Sequence, residues 1–501
     1  MGVALAEYAL VSIAFPLAAG RDLGTYLRAS FELRADEVVL PQALLMRAPV
    51  TGVVAEGLLA LGPVASEVAM ALLYALAVLC WWRVGRTVGV ATGIALAALV
   101  LAYPGYVLLF HRLSSDALYA AAFALAALLT ARLVEARTPG RAAAVGLALA
   151  LLTLIRPVSV ILVVLAPLLL LARDGWRPRV AVLASVGAAV AAPLLLWAGH
   201  NGVRADDLTI VRGAGHGIPL YRAFVVDRIV SPENGEASRE LGRVVSDDLL
   251  RREPYRSYEI DLDTFFGSGS ARMHEDLIGL ADRTWGWDDD YAHLARVGRE
   301  AVRAHPGSYA HGVARDAWRL LWWPVYLPLD EGGIPATARS PASVSQLPEP
   351  SEGQPIPSAS VSAFISTPDG RFHEVWSSPT THDIYADDRS DAAHLDRMNR
   401  RVAELYGRFS QRRGSTELGR WIDRASKWFP RPAVWLVIGL VALAVRRPQR
   451  AATPLVLTAA ALLVLLGTAL AVPADAAYSV PIAPAFILLA VAGLVASRRP
   501  R

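Results

Sequence analysis

Residues 142–172 read AAAVGLALALLTLIRPVSVILVVLAPLLLLA, two unbroken apolar runs that meet at Arg156-Pro157. Proline lacks an N–H and disfavours helix in the residue before it, so the pair reads as a tight hairpin turn between two membrane helices. A soluble α/β enzyme seldom carries apolar stretches near the roughly 18 residues that cross a bilayer. Working outward, eight further apolar runs are bounded by charge: 3–19, 65–82, 88–110, 115–131, 180–198, 433–445, 452–472 and 478–497. Together they give about ten candidate spans, several shorter than a full crossing.

The charges agree. Of 45 acidic residues, 34 lie between His200 and Pro430, four in residues 63–199, and only Asp475 in residues 431–501. Two nearly acid-free blocks therefore flank one polar block. With 54% apolar residues and 49 basic against 45 acidic side chains, neither a disordered tail protein nor a nucleic-acid binder fits. Cys80 is the only cysteine, so no intrachain disulfide staples the polar block.

Arginines collect in every second short loop: Arg83 and Arg86; Arg132, Arg137 and Arg141; Arg173, Arg177 and Arg179; Arg446, Arg447 and Arg450; Arg498, Arg499 and Arg501. Basic loops stay cytoplasmic. Residues 20–64, the 111–116 turn, the Arg156 turn, the 199–432 block and the 473–477 turn then face outward, and the C-terminus faces the cytoplasm of a cell-membrane protein. The 3–19 run starts without a basic flank and carries Glu7 and Pro16; cleavage near Ala18-Ala19-Gly20 is its alternative reading. The expected fold is an all-α polytopic membrane protein. Its parts are a module over 1–199 with outer loop 20–64, a mostly helical extracytoplasmic domain over 200–432 inserted before the last three helices, and helices over 433–501.

Within the polar block, residues 239–250, 271–284, 291–304 and 309–321 carry apolar side chains at helical spacing, and 391–428 returns to helix. Residues 335–357, rich in proline, serine and glycine, read as a flexible linker. The aromatic run Trp318, Trp322, Trp323, Pro324, Tyr326 reads equally as an interfacial belt or a packing core. Asp288-Asp289-Asp290 reads as a solvated face.

Ionisable residues near membrane depth cost roughly 2.5–3.5 kcal/mol each at a helix centre, which makes them functional candidates. Three stand at one outer surface. Asp22 lies in Gly20-Arg21-Asp22-Leu23-Gly24-Thr25-Tyr26-Leu27, Asp116 in His111-Arg112-Leu113-Ser114-Ser115-Asp116, and Arg156 in Leu154-Ile155-Arg156-Pro157. Carboxylates beside arginines at the lipid–water boundary suit a lipid-tied phosphate and a proton that must be managed. Each has a plainer explanation: Asp116 could cap its helix, Arg156 could snorkel, and Asp22 could simply end the first span.

These residues carry a resemblance. The acid after the first span, Ala48-Pro49-Val50, Tyr103-Pro104-Gly105, Leu113-Ser114-Ser115-Asp116-Ala117-Leu118-Tyr119, Leu154-Ile155-Arg156-Pro157 and a weaker Tyr478-Ser479-Val480-Pro481 occur in an order that resembles the GT-C class of polyprenyl-phosphate-sugar-dependent glycosyltransferases. The likeness is to glycosyltransferase family 39, with its protein O-mannosyltransferases and aminoarabinose transferases. The resemblance implies GT-C-like architecture and inverting transfer of a sugar from a polyprenyl-phosphate donor to an extracytoplasmic hydroxyl on a protein, glycolipid or cell-wall glycan. It makes Asp22 the catalytic base, sets Arg156 and Arg112 on the donor phosphate and Asp116 on donor or metal, and adds Tyr26 and Tyr478 as substrate contacts. Many family members carry two adjacent first-loop acids, whereas Leu23 follows Asp22 and the nearest pair is Asp36-Glu37. That departure puts a divalent Mg or Mn ion in doubt and leaves Asp36 and Glu37 as alternative bases. Ala477 replaces the family's basic residue before the late tyrosine. A lipid-linked-glycan flippase and a non-catalytic envelope scaffold are the competing classes; a flippase calls for charges at span centres and repeated halves, and neither is visible.

Overall fold

The computed structural model describes residues 1–501 except 172–174, 213–217, 323–363, 379–380, 411, 413, 447–449 and 496–501. The N-terminal part consists of α1 (Gly2–Ser12), β1 (Ala18–Ala19), α2 (Leu23–Arg34), α3 (Pro41–Leu45), α4 (Pro49–Ala60), α5 (Pro63–Val88), α6 (Val90–Leu101), α7 (Pro104–Leu109), β2 (Arg112–Leu113), α8 (Ser115–Glu135), α9 (Pro139–Ile155) and α10 (Trp176–Ala205). Proline opens α3, α4, α5, α7 and α9, where its missing N–H would have had no helical partner. Gly62 turns the chain into α5 at φ 96°, a left-handed conformation open to glycine.

The polar block contains α11 (Ile218–Tyr221), α12 (Glu236–Asp247), α13 (Leu262–Gly267), α14 (Ala271–Trp285), α15 (Asp290–Ala304), α16 (Pro306–Trp322), β3 (Phe372–Trp376), β4 (His382–Ala386), α17 (Arg389–Gly407) and α18 (Thr416–Trp428). The chain closes with α19 (Pro432–Arg446), α20 (Ala452–Ala471), α21 (Ala476–Ser479) and α22 (Ala483–Val495).

The protein is a polytopic, all-α membrane protein. Among the described residues five stretches are long and apolar enough to cross a membrane: α5, α8, α10, Thr416–Arg446 and α20. A turn after α18 divides the fourth. Six other apolar helices run 10–17 residues, so ten full crossings are not what the helices display. The 3–19 run leaves helix after Ser12, and the 88–110 run breaks at Tyr103-Pro104 into α6 and α7 because proline cannot continue the ladder. Residues Pro157–Leu171 wind as a 3-10 helix. At about 2.0 Å per residue, that run reaches roughly 30 Å where an α-helix would reach roughly 22 Å. It packs against α9 across an extended Arg156, as a hairpin requires.

The four expected helices of the polar block fall on α12, α14, α15 and α16, and the 391–428 stretch splits into α17 and α18. Between them stands an antiparallel hairpin, Phe372 opposite Ala386 and Trp376 opposite His382, which helical periodicity did not anticipate. Trp318 is exposed, and its ring centroid lies 5.4 Å from that of Trp322. Trp323, Pro324, Tyr326 and the 335–357 stretch fall outside the described residues. The block has its own core around Leu241, Phe265, Met273, Leu277 and Val297. Val313 and Leu320 of α16, Val402 and Leu405 of α17 and Ile422 of α18 instead join the core of the membrane helices.

Asp288 and Asp289 are exposed, as a solvated face demands, but Asp290 is buried and accepts from Arg212 at 2.9 Å. Burial, with a hydrogen bond to Asp282, pushes the Asp290 carboxyl up to about 8. The folded chain then holds a proton here that the unfolded chain releases near 3.8. Stability from this group is therefore full below the unfolded value and is lost as pH rises through the folded one. Thermal unfolding in detergent should show Tm falling between about pH 4 and pH 8, with a flatter profile in Asp290→Asn.

Candidate functional site

Short backbone pairing draws the loop after α1 onto the loop before α8. β1 lies parallel to β2, with Ala18 opposite Arg112 and Ala19 opposite Leu113, and the Gly20 N–H donates to the Leu113 carbonyl at 2.9 Å. Gly20 is glycine for a packing reason, since a Cβ there would overlap the Ser114 side chain. Asp22 follows directly, in a left-handed conformation at φ 61° that aspartate tolerates better than most residues.

Asp22 does not cap α2 with its side chain, so its carboxylate is left to other partners. Arg47 Nη2 lies 3.4 Å and Arg21 Nε 3.8 Å from Oδ2, and 43% of the side chain stays exposed. Arg21 is itself held from the far end of the chain: Nη1 reaches Asp475 at 2.8 Å and Nη2 donates to the Tyr478 hydroxyl at 2.6 Å. Arg47 donates from Nε to Thr25 Oγ1 at 3.0 Å and lies over the Tyr26 ring. Burial pulls the Arg47 guanidinium down, but Tyr26, Asp22, Tyr478 and Glu275 together raise it above its ordinary value.

Arg156 forms an ion pair with Asp116, both side chains nearly buried. Its guanidinium lies 5.0 Å from the centroid of the Tyr478 ring and 5.3 Å from that of Tyr119, close enough for cation–π attraction. Arg156 therefore does not snorkel to water. Capping of α8 falls to Ser114, whose hydroxyl accepts from Ala117 N, and Asp116 is free to hold Arg156. Burial lowers the Arg112 guanidinium from its ordinary value and the charge of Asp475 works against it, which puts Arg112 at the edge of the same cluster.

Asp22, Tyr26, Arg112, Asp116, Arg156 and Tyr478 thus come together from four separate segments. Asp36 and Glu37 do not. The 12 residues of α2 separate them from Asp22, a rise of roughly 18 Å, and both are exposed beyond the helix's far end. Sequence reasoning missed Arg21, Arg47, Asp475 and Tyr119. Burial raises the Tyr221 hydroxyl in the polar block, and the charges of Tyr478, Glu275, Arg21 and Asp22 also act on it. Asp475 had a signal, being the lone acid of an otherwise acid-free segment. His111 stays apart from the chemistry, stacked on Tyr8 at 4.0 Å.

A divalent ion does not fit at Asp22, where two guanidiniums already face the carboxylate. Among the described residues no group of three or more His, Cys, Asp or Glu side chains is arranged to hold a metal. A cavity of about 950 Å³ lies in the polar block between α14 and the β3–β4 hairpin. It shares no residue with the cluster, and the clustered charge, not the larger space, locates the candidate site.

No protein-family model matches the chain, and no curated protein matches it. Among solved structures it is similar to ArnT from Cupriavidus metallidurans bound to undecaprenyl phosphate. That match has 14% identity and a TM-score of 0.36, and covers 98% of this chain and 76% of that one. The apo form of the same ArnT matches at 14% identity and a TM-score of 0.33, over 98% and 75% of the two chains. Likenesses this distant carry no weight for function, which rests below on the cluster's own residues.

Proposed function

We propose that the chain is an integral membrane glycosyltransferase that moves a sugar from a polyprenyl-phosphate donor to an acceptor hydroxyl at the extracytoplasmic face, with inversion at the anomeric carbon. The observation that carries this is the convergence of Asp22 with Arg21, Arg47, Arg112 and the Asp116-held Arg156 beside short apolar helices. Guanidiniums recognise a phosphate bidentately, and apolar helices offer a path to its prenyl tail.

In the reaction the Asp22 carboxylate takes the acceptor hydroxyl's proton as the oxygen attacks the anomeric carbon. The bond from that carbon to the phosphate oxygen breaks, and its electron pair leaves with polyprenyl phosphate. Negative charge grows on the phosphate as the sugar departs, so fixed guanidiniums there stabilise the transition state more than the ground state. Arg156 is suited to this because Asp116 and the Tyr119 and Tyr478 rings fix its position before substrate arrives. Arg21 and Arg47 flank Asp22 on one side, while its exposed part remains open to the acceptor.

Arg156→Ala should weaken binding of polyprenyl phosphate by about 30-fold or more, since a buried charge-assisted contact is lost and Asp116 is left unpaired. Microscale thermophoresis in detergent reads this; unchanged affinity would move the phosphate site away from Arg156. Gly20→Ala tests the backbone clamp. Its Cβ would force β1 from Ser114, and a displacement near 1 Å costs about 100-fold in rate, so transfer should collapse with only a small change in Tm.

A further inference from the structure

A second cluster of charge, unconnected with Asp22, sits where α5, α8 and α9 meet. Two clefts of about 280 and about 370 Å³ open there side by side, and Arg132 and Glu135 line both. Arg83 and Arg86 complete the first cleft and Arg141 the second. A fifth arginine joins from the segment before α20, where Arg450 Nη1 donates to the Thr87 carbonyl at 3.0 Å.

Glu135 is the one acid among these residues. Arg141 and Arg450 spend one N–H each on backbone carbonyls, of Arg132 and Thr87, while Arg83 and Arg86 lie over the Trp82 ring. Among the described residues no ion pair joins any of the five to a carboxylate. Each guanidinium carries five donors, so most of this donor capacity and a net charge near +4 are left without an anion. Helix capping alone does not account for it, because capping uses one donor of two side chains.

The helix faces above the clefts identify the anion's source. Leu72 and Leu76 stand eleven and seven residues before Arg83, and Leu125 seven before Arg132. Those spacings put each pair on one helical face. All three leucines are exposed although their helices pass through the apolar layer. A cationic cleft thus ends two lipid-facing apolar tracks, the layout that suits a phosphate with acyl chains attached. We propose that the clefts hold the phosphate headgroup of an acidic phospholipid, with its chains along the Leu72–Leu76 and Leu125 faces.

The test is native mass spectrometry of the full-length protein released from nanodiscs that contain phosphatidylglycerol and phosphatidylcholine in equal amounts. Wild type should retain the acidic lipid at least about 10-fold over the zwitterionic one, and the Arg83→Gln/Arg86→Gln/Arg132→Gln protein should retain the two equally. Glu135→Gln should raise retention of the acidic lipid, which keeps the test decisive should the triple variant fail to fold. Equal retention by wild type, or a triple variant as selective as wild type, overturns the proposal. So does full displacement of the lipid by millimolar inorganic phosphate, which would make this a site for free phosphate.

Discussion

Asp22→Asn protein should fold like wild type and transfer sugar about 1,000-fold more slowly or worse. A positioned general base contributes about 10²–10⁴ in rate, and the amide cannot accept the acceptor's proton near neutral pH. The substitution is clean for two reasons. Asparagine tolerates the left-handed conformation at φ 61° at least as well as aspartate, and the side chain caps nothing, so helix α2 loses no hydrogen bond. The ion pairs lost to Arg21 and Arg47 involve a side chain 43% exposed, where such pairs contribute about 0–1 kcal/mol. A fall in rate without a fall in Tm is therefore the expected pair of readings. Asp36→Asn and Glu37→Gln, beyond the far end of α2, should leave transfer unchanged.

The second large effect is on stability. Arg222 is wholly buried between Asp227, at 2.9 Å, and Asp316 of α16, at 3.1 Å, and also donates to the Ala469 carbonyl near the end of α20. This side chain pins the polar block to the membrane helices. Arg222→Ala leaves the Asp227 carboxylate and a carbonyl buried without their cation, and Asp316 with only its longer pairs to the part-exposed Arg315 and Arg319, and should cost about 3–5 kcal/mol. Burial already pushes Asp227 up against the pull of Arg222, so the variant should also become more sensitive to rising pH. The triple replacement Arg222→Met/Asp227→Leu/Asp316→Leu should recover much of the loss, since apolar groups of similar volume need no partners. Thermal unfolding in one detergent distinguishes these proteins; equal Tm values for wild type and Arg222→Ala would show that the pin contributes little.

Composition made the membrane architecture legible because apolar runs of such length have no soluble use, and the arginine-proline junction at Arg156-Pro157 marked a real turn. Where helices end was harder to read. Hydropathy ran one span over 88–110, yet Tyr103-Pro104 breaks it into two helices, because hydropathy ignores proline's missing donor. The β3–β4 hairpin alternates in burial over only five residues per strand, and neither Phe372–Trp376 nor His382–Ala386 alternates apolar with polar side chains, so no strand period stood out among the amphipathic helices. At the candidate site the loop acids and arginines near the span ends were visible one by one. Their partners were not, since Arg21 meets Asp475 across 454 positions of sequence, and only the fold brings such residues together. Asp36-Glu37 show the converse: the pair is close to Asp22 in sequence and a whole helix away in space.

The most direct measurement of the central claim follows two products in one experiment. Full-length protein in liposomes would be given radiolabelled polyprenyl-phosphate sugars and source-membrane acceptors, with free polyprenyl phosphate and labelled acceptor quantified together and movement of the intact donor between leaflets recorded. Equal amounts of polyprenyl phosphate and labelled acceptor, both lost in Asp22→Asn, are the expected result. Leaflet exchange of intact donor with no cleavage would contradict the transferase reading and make the chain a carrier of lipid-linked sugar.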